Sequence, residues 1–119
     1  MKFQHPGLIL RLTVFPALLI MGLAQATVTA QGTVTLHTSI KDHRFQPSEL
    51  KVPANTPLTL ALRNLDPTPE EFESRTLRVE KVVAPNSEIT IQLRPLAPGR
   101  YRFYGDFNQA TAQGALIAE

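Results

Sequence analysis

Glu70, Glu71 and Glu73 crowd one short run, EEFES at 70–74, and Glu80 follows in the next apolar stretch. Asp106 sits behind Gly105, and His43 lies in the segment DHRF. Carboxylates with an imidazole form an oxygen-rich donor set that suits Fe(III), Fe(II) or Mn and tolerates Cu(II). Packed together, carboxylates repel one another and hold their protons more tightly unless a cation neutralises them. Extended backbone alternates its side chains, which places Glu71 and Glu73 on one face and Glu70 with Phe72 on the other. Glu80, Asp106 and His43 are expected near the same end of the fold. The alternative for this run is a solvated face paired with Arg75, Arg78 and Lys81, each exposed pair worth about 0–1 kcal/mol.

Other chemistries find little support. The chain has no cysteine, which removes thiolate catalysis, zinc-finger sites, iron–sulfur clusters and disulfides. Ser39, Ser48, Ser74 and Ser87 occur in no nucleophile motif. His43 is the one plausible base and has no partnered nucleophile. No glycine-rich phosphate loop is present. The expectation is a binding protein and not an enzyme.

The elements that must hold these residues are strands. TVTLHTSI at 33–40 alternates, with Val34, Leu36 and Thr38 on one side and His37 and Ser39 on the other. Phe45 is expected to plug the core, Pro47 to interrupt pairing, and Glu49–Val52 to form a short strand. PLTLALRN at 57–64 places Leu58, Leu60 and Leu62 on one face. LDPTPEE reads as a loop set by its prolines and Asp66. Leu77 and Val79 begin the next strand, with Lys81 on their side and Arg78 and Glu80 opposite. EITIQL at 88–93 and RYRFY at 100–104 alternate again, and GALIA at 114–118 closes the chain. Seven to eight short strands, regular turns and no amphipathic helix predict an antiparallel two-sheet sandwich in one small domain.

The N-terminus has a different character. Lys2 and Arg11 precede the apolar run LTVFPALLIMGL at 12–23, and Ala24-x-Ala26 follows. This is the anatomy of a secretory signal peptide over residues 1–26, with a second cleavage position after Ala30 and the domain at 31–119. The apolar run is short of the roughly 20 residues that span a bilayer, so membrane contact is expected only through this segment if it is uncleaved. The full chain has 12 basic and 10 acidic residues. Without Lys2 and Arg11 the remainder holds 10 of each, a formal net charge of zero. The basic balance therefore belongs to the leader, and no nucleic-acid footprint is left.

Four segments carry a family resemblance: DHRFQPSELKVPAN at 42–55, LALRNLDPTPEEFES at 60–74, LRVEKVVAPNSEITIQL at 77–93 and PGRYRFYGDFNQATAQGALI at 98–117. They resemble the cupredoxins, small Greek-key β-sandwiches that hold blue copper. In that family the closing strand and loop read roughly Y-x-F-x-C-x-x-H, then Met and Gly. Here Tyr101, Phe103 and Gly114 keep the frame, while Gly105 stands for Cys, Asn108 for His and Ala112 near the Met. Glu70 stands where a P-H-x-F pattern puts the first His, so the resemblance turns it toward the old copper pocket. Type 1 copper is thereby excluded.

The strings EEFES and LRVEK also resemble the EfeO-type, iron-uptake-associated cupredoxin subgroup, although that subgroup carries His where this chain has Asn108. The resemblance implies a periplasmic protein that binds or hands over iron, or copper, through Glu70, Glu71, Glu73, Glu80, His43 and Asp106. An iron permease or another periplasmic iron-uptake component is the implied partner. The alternative is a metal-free module that docks on such a component.

Overall fold

The structure is a computed structural model that describes Lys2 and residues 32–119. The expected signal peptide lies outside the described residues. Among the described residues nine strands run in chain order: β1 (Val34–Lys41), β2 (Arg44–Gln46), β3 (Glu49–Val52), β4 (Leu58–Asn64), β5 (Glu70–Ser74), β6 (Val79–Val83), β7 (Glu88–Leu93), β8 (Gly99–Gly105) and β9 (Gln113–Ala118). A 3-10 turn, Asp106–Asn108, lies between β8 and β9. One sheet has the order β2-β1-β4-β7 and the other β3-β9-β8-β5-β6.

Alternation accounts for most of these strands. Leu58, Leu60 and Leu62 are fully buried along β4, and Phe72 does the same on β5. Phe45 from the first sheet meets Phe72 and Phe103 from the second. Its ring stands edge-on to both, at 6.1 and 4.8 Å between centroids, and Phe72 and Phe103 are 5.1 Å apart. Edge-to-face contacts of this kind add to the area term, so the aromatic trio joins the two layers where no disulfide can.

The sandwich departs from the expected all-antiparallel pairing. β1 pairs with β4, and β3 with β9, in parallel. After β2 the chain crosses to the second sheet as β3 and returns as β4, so β4 runs alongside β1 in the same direction. Period-2 patterning reports a strand's faces and says nothing of its neighbours. The strand count exceeds the expected seven to eight because β2, three residues long, is too short to show a period.

Two local assignments also change. Glu70 and Glu71 belong to β5 and not to the preceding loop. Leu77 is buried in a turn before β6 rather than within a strand. That turn is organised by Ser74, whose hydroxyl donates to the Arg102 carbonyl at 2.6 Å and accepts the Leu77 N–H at 3.2 Å. Arg94 donates to the carbonyls of Leu77 and Thr76, and Arg78 takes a positive φ of 56°.

Because Phe103 sits at the centre of the trio and is 1 % exposed, Phe103→Ala is expected to cost about 3–5 kcal/mol. Urea unfolding followed by far-UV circular dichroism reads this as a lower midpoint.

Candidate functional site

The loop that delivers β5 is built from two buried Asx residues. The Asn64 amide donates to the Thr68 carbonyl at 2.8 Å, and its Oδ1 accepts the Asp66 N–H at 3.0 Å. The Asp66 carboxylate in turn accepts the N–H groups of Asp42 at 2.7 Å and His43 at 2.9 Å. Both donors sit at positive φ, 52° and 57°, so the carboxylate pins a left-handed corner between β1 and β2. Burial pushes the Asp66 carboxyl up, but the N–H groups of His43 and Asp42 and the nearby charges of His43 and Lys41 outweigh it, and its pKa falls below the usual value.

Glu70 points inward and is 1 % exposed. Its Oε1 accepts the N–H of Glu71 at 3.0 Å and of Phe107 at 2.9 Å, and its Oε2 accepts the Asn108 amide at 2.7 Å. Every partner is a donor, so the carboxylate acts solely as an acceptor, and among the described residues no buried side-chain polar atom is left without a partner. Gly105 packs against this group. A Cβ added there would lie 2.6 Å from Glu70 Cδ and 2.7 Å from Ala112 Cβ, while the Gly105 N–H donates to the Ala112 carbonyl at 2.8 Å. Glu70, Gly105, Asn108 and Ala112, at or near the positions that the family resemblance sets against copper ligands, thus come together. They form a clasp between β5 and the β8–β9 loop.

A copper centre of the blue type does not fit these residues. It needs a thiolate, two imidazoles and a weak axial donor. None is present at these four positions, both Glu70 oxygens are already used, and the space a cysteine side chain needs at 105 is filled.

The other acidic residues gather outside the clasp. Glu71 and Glu73 point outward from β5, and Asp106 comes from the 3-10 turn. Each offers an oxygen, and the three lie within 4.8 Å of one another. Glu80 sits directly across from Glu73 in the β5–β6 register. Burial and then the Glu80, Asp106 and Glu73 carboxylates raise the Glu71 pKa. Protonation of Glu71 therefore favours the folded state. That advantage is complete at low pH and is lost as pH rises through the raised folded value. A cation placed among these oxygens removes the repulsion.

Glu70 and His43 stand apart from this group. Glu70 is occupied within the clasp. His43 Nδ1 is 3.6 Å from Asp66 Oδ2 on the first sheet. The alternative pairing of the acidic run with Arg75, Arg78 and Lys81 is not observed among the described residues. The ion pairs among the described residues are His43–Asp66, Lys51–Glu119 and Arg100–Glu49. Lys81 pairs in register with the inward residue Phe72, which puts it on the face opposite Glu80.

Tyr104 is a neighbour that the sequence did not single out. It pairs with Glu73 across β5 and β8. Burial first, and then the Glu73 carboxylate, raise its pKa, partly offset by Arg75. Its position after Phe103 in an alternating strand was enough to place it on the outer face, though not to show its partner.

Residues 12–118 match the family described as Cupredoxin-like domain. The chain belongs to that family. This cupredoxin-like protein is 46 % identical over 89 residues to the uncharacterized protein RP394 of Rickettsia prowazekii (strain Madrid E), a match that covers 75 % of this chain and 71 % of the relative. Among solved structures it is similar to auracyanin A, a "blue" copper protein of Chloroflexus aurantiacus. The TM-score is 0.63 at 14 % identity, over 74 % of this chain and all of that one. It is also similar to the metal-binding domain of the Cu(I)-exporting P-type ATPase CopA of Streptococcus pneumoniae D39. There the TM-score is 0.61 at 13 % identity, over 71 % of this chain and 84 % of that one. At such identities the likeness is one of fold. The cupredoxin-like frame is retained here around a carboxylate–amide clasp.

Two outcomes are expected. Glu70→Ala strands the Phe107 N–H and the Asn108 amide, at about 1–3 kcal/mol each; hydrogen exchange by NMR will show the Phe107 amide losing its protection ahead of the β4 core. Asp66 has a folded pKa below its unfolded one, so it stabilises the fold above the ordinary carboxylate pKa. That contribution is lost as pH falls below about 4. Asp66→Asn will therefore flatten the acid limb of melting temperature against pH while lowering the melting temperature at neutral pH.

Proposed function

We propose that this is an exported cupredoxin-like protein that binds a metal ion, or hands it over, through half-buried carboxylates on its outer face in connection with iron uptake. The observation that carries the proposal is the convergence of Glu71, Glu73 and Asp106, with oxygens within 4.8 Å and no basic side chain paired to them among the described residues. An all-oxygen set favours hard ions, which makes iron the first choice and copper the second. Three carboxylates leave coordination positions open, as a carrier that must release its ion requires. Export rests on the leader-like residues 1–26, and the iron setting rests on the EfeO-type wording of EEFES and LRVEK.

Calorimetric titration with Fe(III) citrate, Fe(II), Mn(II) and Cu(II) tests this reading. Binding tighter than about millimolar, near 4 kcal/mol, is expected, with at least a tenfold loss in Glu71→Gln/Glu73→Gln. Failure of all four ions to bind at that level would remove the metal role.

A second reading is supported by the apolar residues beside the cluster. Phe107 is 50 % and Val82 56 % exposed, and Val82 pairs in register with Glu71. The same face then serves as a metal-free docking surface for a permease or another periplasmic component. Capture of such a component that survives chelator and is abolished by Glu71→Lys would favour this reading over the first.

A further inference from the structure

The four strands at the borders of the two sheets are protected to different degrees. A border strand leaves one row of N–H and C=O groups unpaired, and folds blunt that row with short length, proline, lysine or a charge turned inward. β2 has three residues and runs into Pro47. β3 has four residues, lies between Pro47 and Pro53, and carries the exposed Lys51. β6 has Lys81 in register with the inward-facing Phe72, which puts a charge on the core side of its edge. β7 has none of these devices. It is six residues long, EITIQL, without proline, glycine or lysine, and its one charge, Glu88, stands exposed at its start.

The unpaired row on β7 follows from its ladder. The Asn64 N–H donates to the Ser87 carbonyl at 2.8 Å, so that pair is a hydrogen-bonded one in the antiparallel β4–β7 register. Alternation then directs the backbone groups of Ile89, Ile91 and Leu93 to β4, while Glu88, Thr90 and Gln92 present theirs to the open side. The side chains of these three are exposed, whereas Ile91 and Leu93 are buried. Beside the edge lies an open cleft of about 510 Å³ between the two sheets, bordered by Thr90 and Gln92 on one side and by Arg78, Glu80 and Lys81 on the other.

The row is complementary to itself. A twofold axis through Thr90, perpendicular to the sheet, sets Thr90 opposite Thr90 of a second copy and Glu88 opposite Gln92, so that outward N–H groups face outward carbonyls. Gln92 Oε1 accepts the Thr59 hydroxyl at 3.1 Å. Its Nε2 has no partner among the described residues and can donate to the Glu88 carboxylate across the axis. Along the paired strands no like charges are opposed. The clefts of the two copies meet on one side of the joined sheet, and each holds both signs of charge, Glu80 with Arg78 and Lys81.

We infer that β7 is the edge through which two copies of this chain associate, as an antiparallel β7–β7 pair that joins their four-stranded sheets into one. The inference is independent of the metal-binding reading above.

The test is sedimentation velocity of the purified protein over a concentration series, on the native chain, Thr90→Lys and Gln92→Glu. The native chain is expected to pass from monomer to dimer. Thr90→Lys sets two cations at the axis, and Gln92→Glu sets a carboxylate against Glu88 on either side of it; each is expected to weaken the dimer by about tenfold. Both positions are exposed, and should Thr90→Lys melt early, Gln92→Glu decides alone. The chain has no cysteine, so Thr90→Cys adds a single thiol. Hydrogen-bonded partners across an antiparallel pair lie about 5.5 Å apart between Cα atoms, within the reach of a disulfide. Mild oxidation is therefore expected to give a covalent dimer of Thr90→Cys and none of Lys51→Cys, which lies on β3 at the other border. A native chain that stays monomeric at every concentration, a dimer indifferent to both charge variants, or Lys51→Cys cross-linking as readily as Thr90→Cys overturns the inference.

Discussion

The Glu70 carboxylate is the contact on which the functional end of this sandwich depends. A buried carboxylate is costly unless its oxygens are met by donors. Here the donors come from three different places: the next residue on β5, the backbone of the 3-10 turn, and the side chain of Asn108. That requirement fixes the β8–β9 loop onto β5. It also decides what remains outside. With Glu70 turned in, strand alternation turns Glu71 and Glu73 out, and the anchored turn brings Asp106 to the same side. The acidic surface is a by-product of the buried clasp.

Much of this order is legible in the sequence because the strands are amphipathic. The alternation in LTLALRN and EITIQL gives both strands and their buried faces, and the same rule separates Glu70 from Glu71 and Glu73. Less is legible where a residue's role depends on a distant backbone. Asp66 reads as a loop former, yet it holds a corner of the chain more than twenty residues away. His43 sits in a promising segment, but that same corner commits it to Asp66. The parallel pairs β1–β4 and β3–β9 are set by the chain crossing between layers, which leaves no mark on periodicity. Asn108, which breaks the expected histidine pattern, becomes intelligible only beside Glu70, as the amide that completes the carboxylate's shell.

The electrostatics of the outer face follow from a lack of pairing. Ion pairing could have neutralised Glu71, Glu73 and Glu80 with the nearby basic residues. Instead, the turn after β5, held by Ser74 and Arg94, carries Arg75 toward Arg102, and the register sends Lys81 to the other face of its strand. Repulsion among the carboxylates is left standing and adds to burial in raising the Glu71 pKa. Carboxylates kept close together without counter-ions make a more negative potential than an evenly mixed surface, and they attract whatever cation or basic partner is at hand.

Gly105 has a consequence for how such a protein can change. Placing a thiol at that position drives its first carbon into Glu70 and Ala112, while replacing Glu70 alone strands the donors that hold the loop. Each substitution is costly by itself, and a histidine at 108 removes the amide on which the present arrangement relies. The route from this chain to a redox centre therefore runs through several simultaneous replacements, each costly in isolation. Two close-packed solutions of one frame are separated by a barrier in sequence space, and this chain sits on the far side of it.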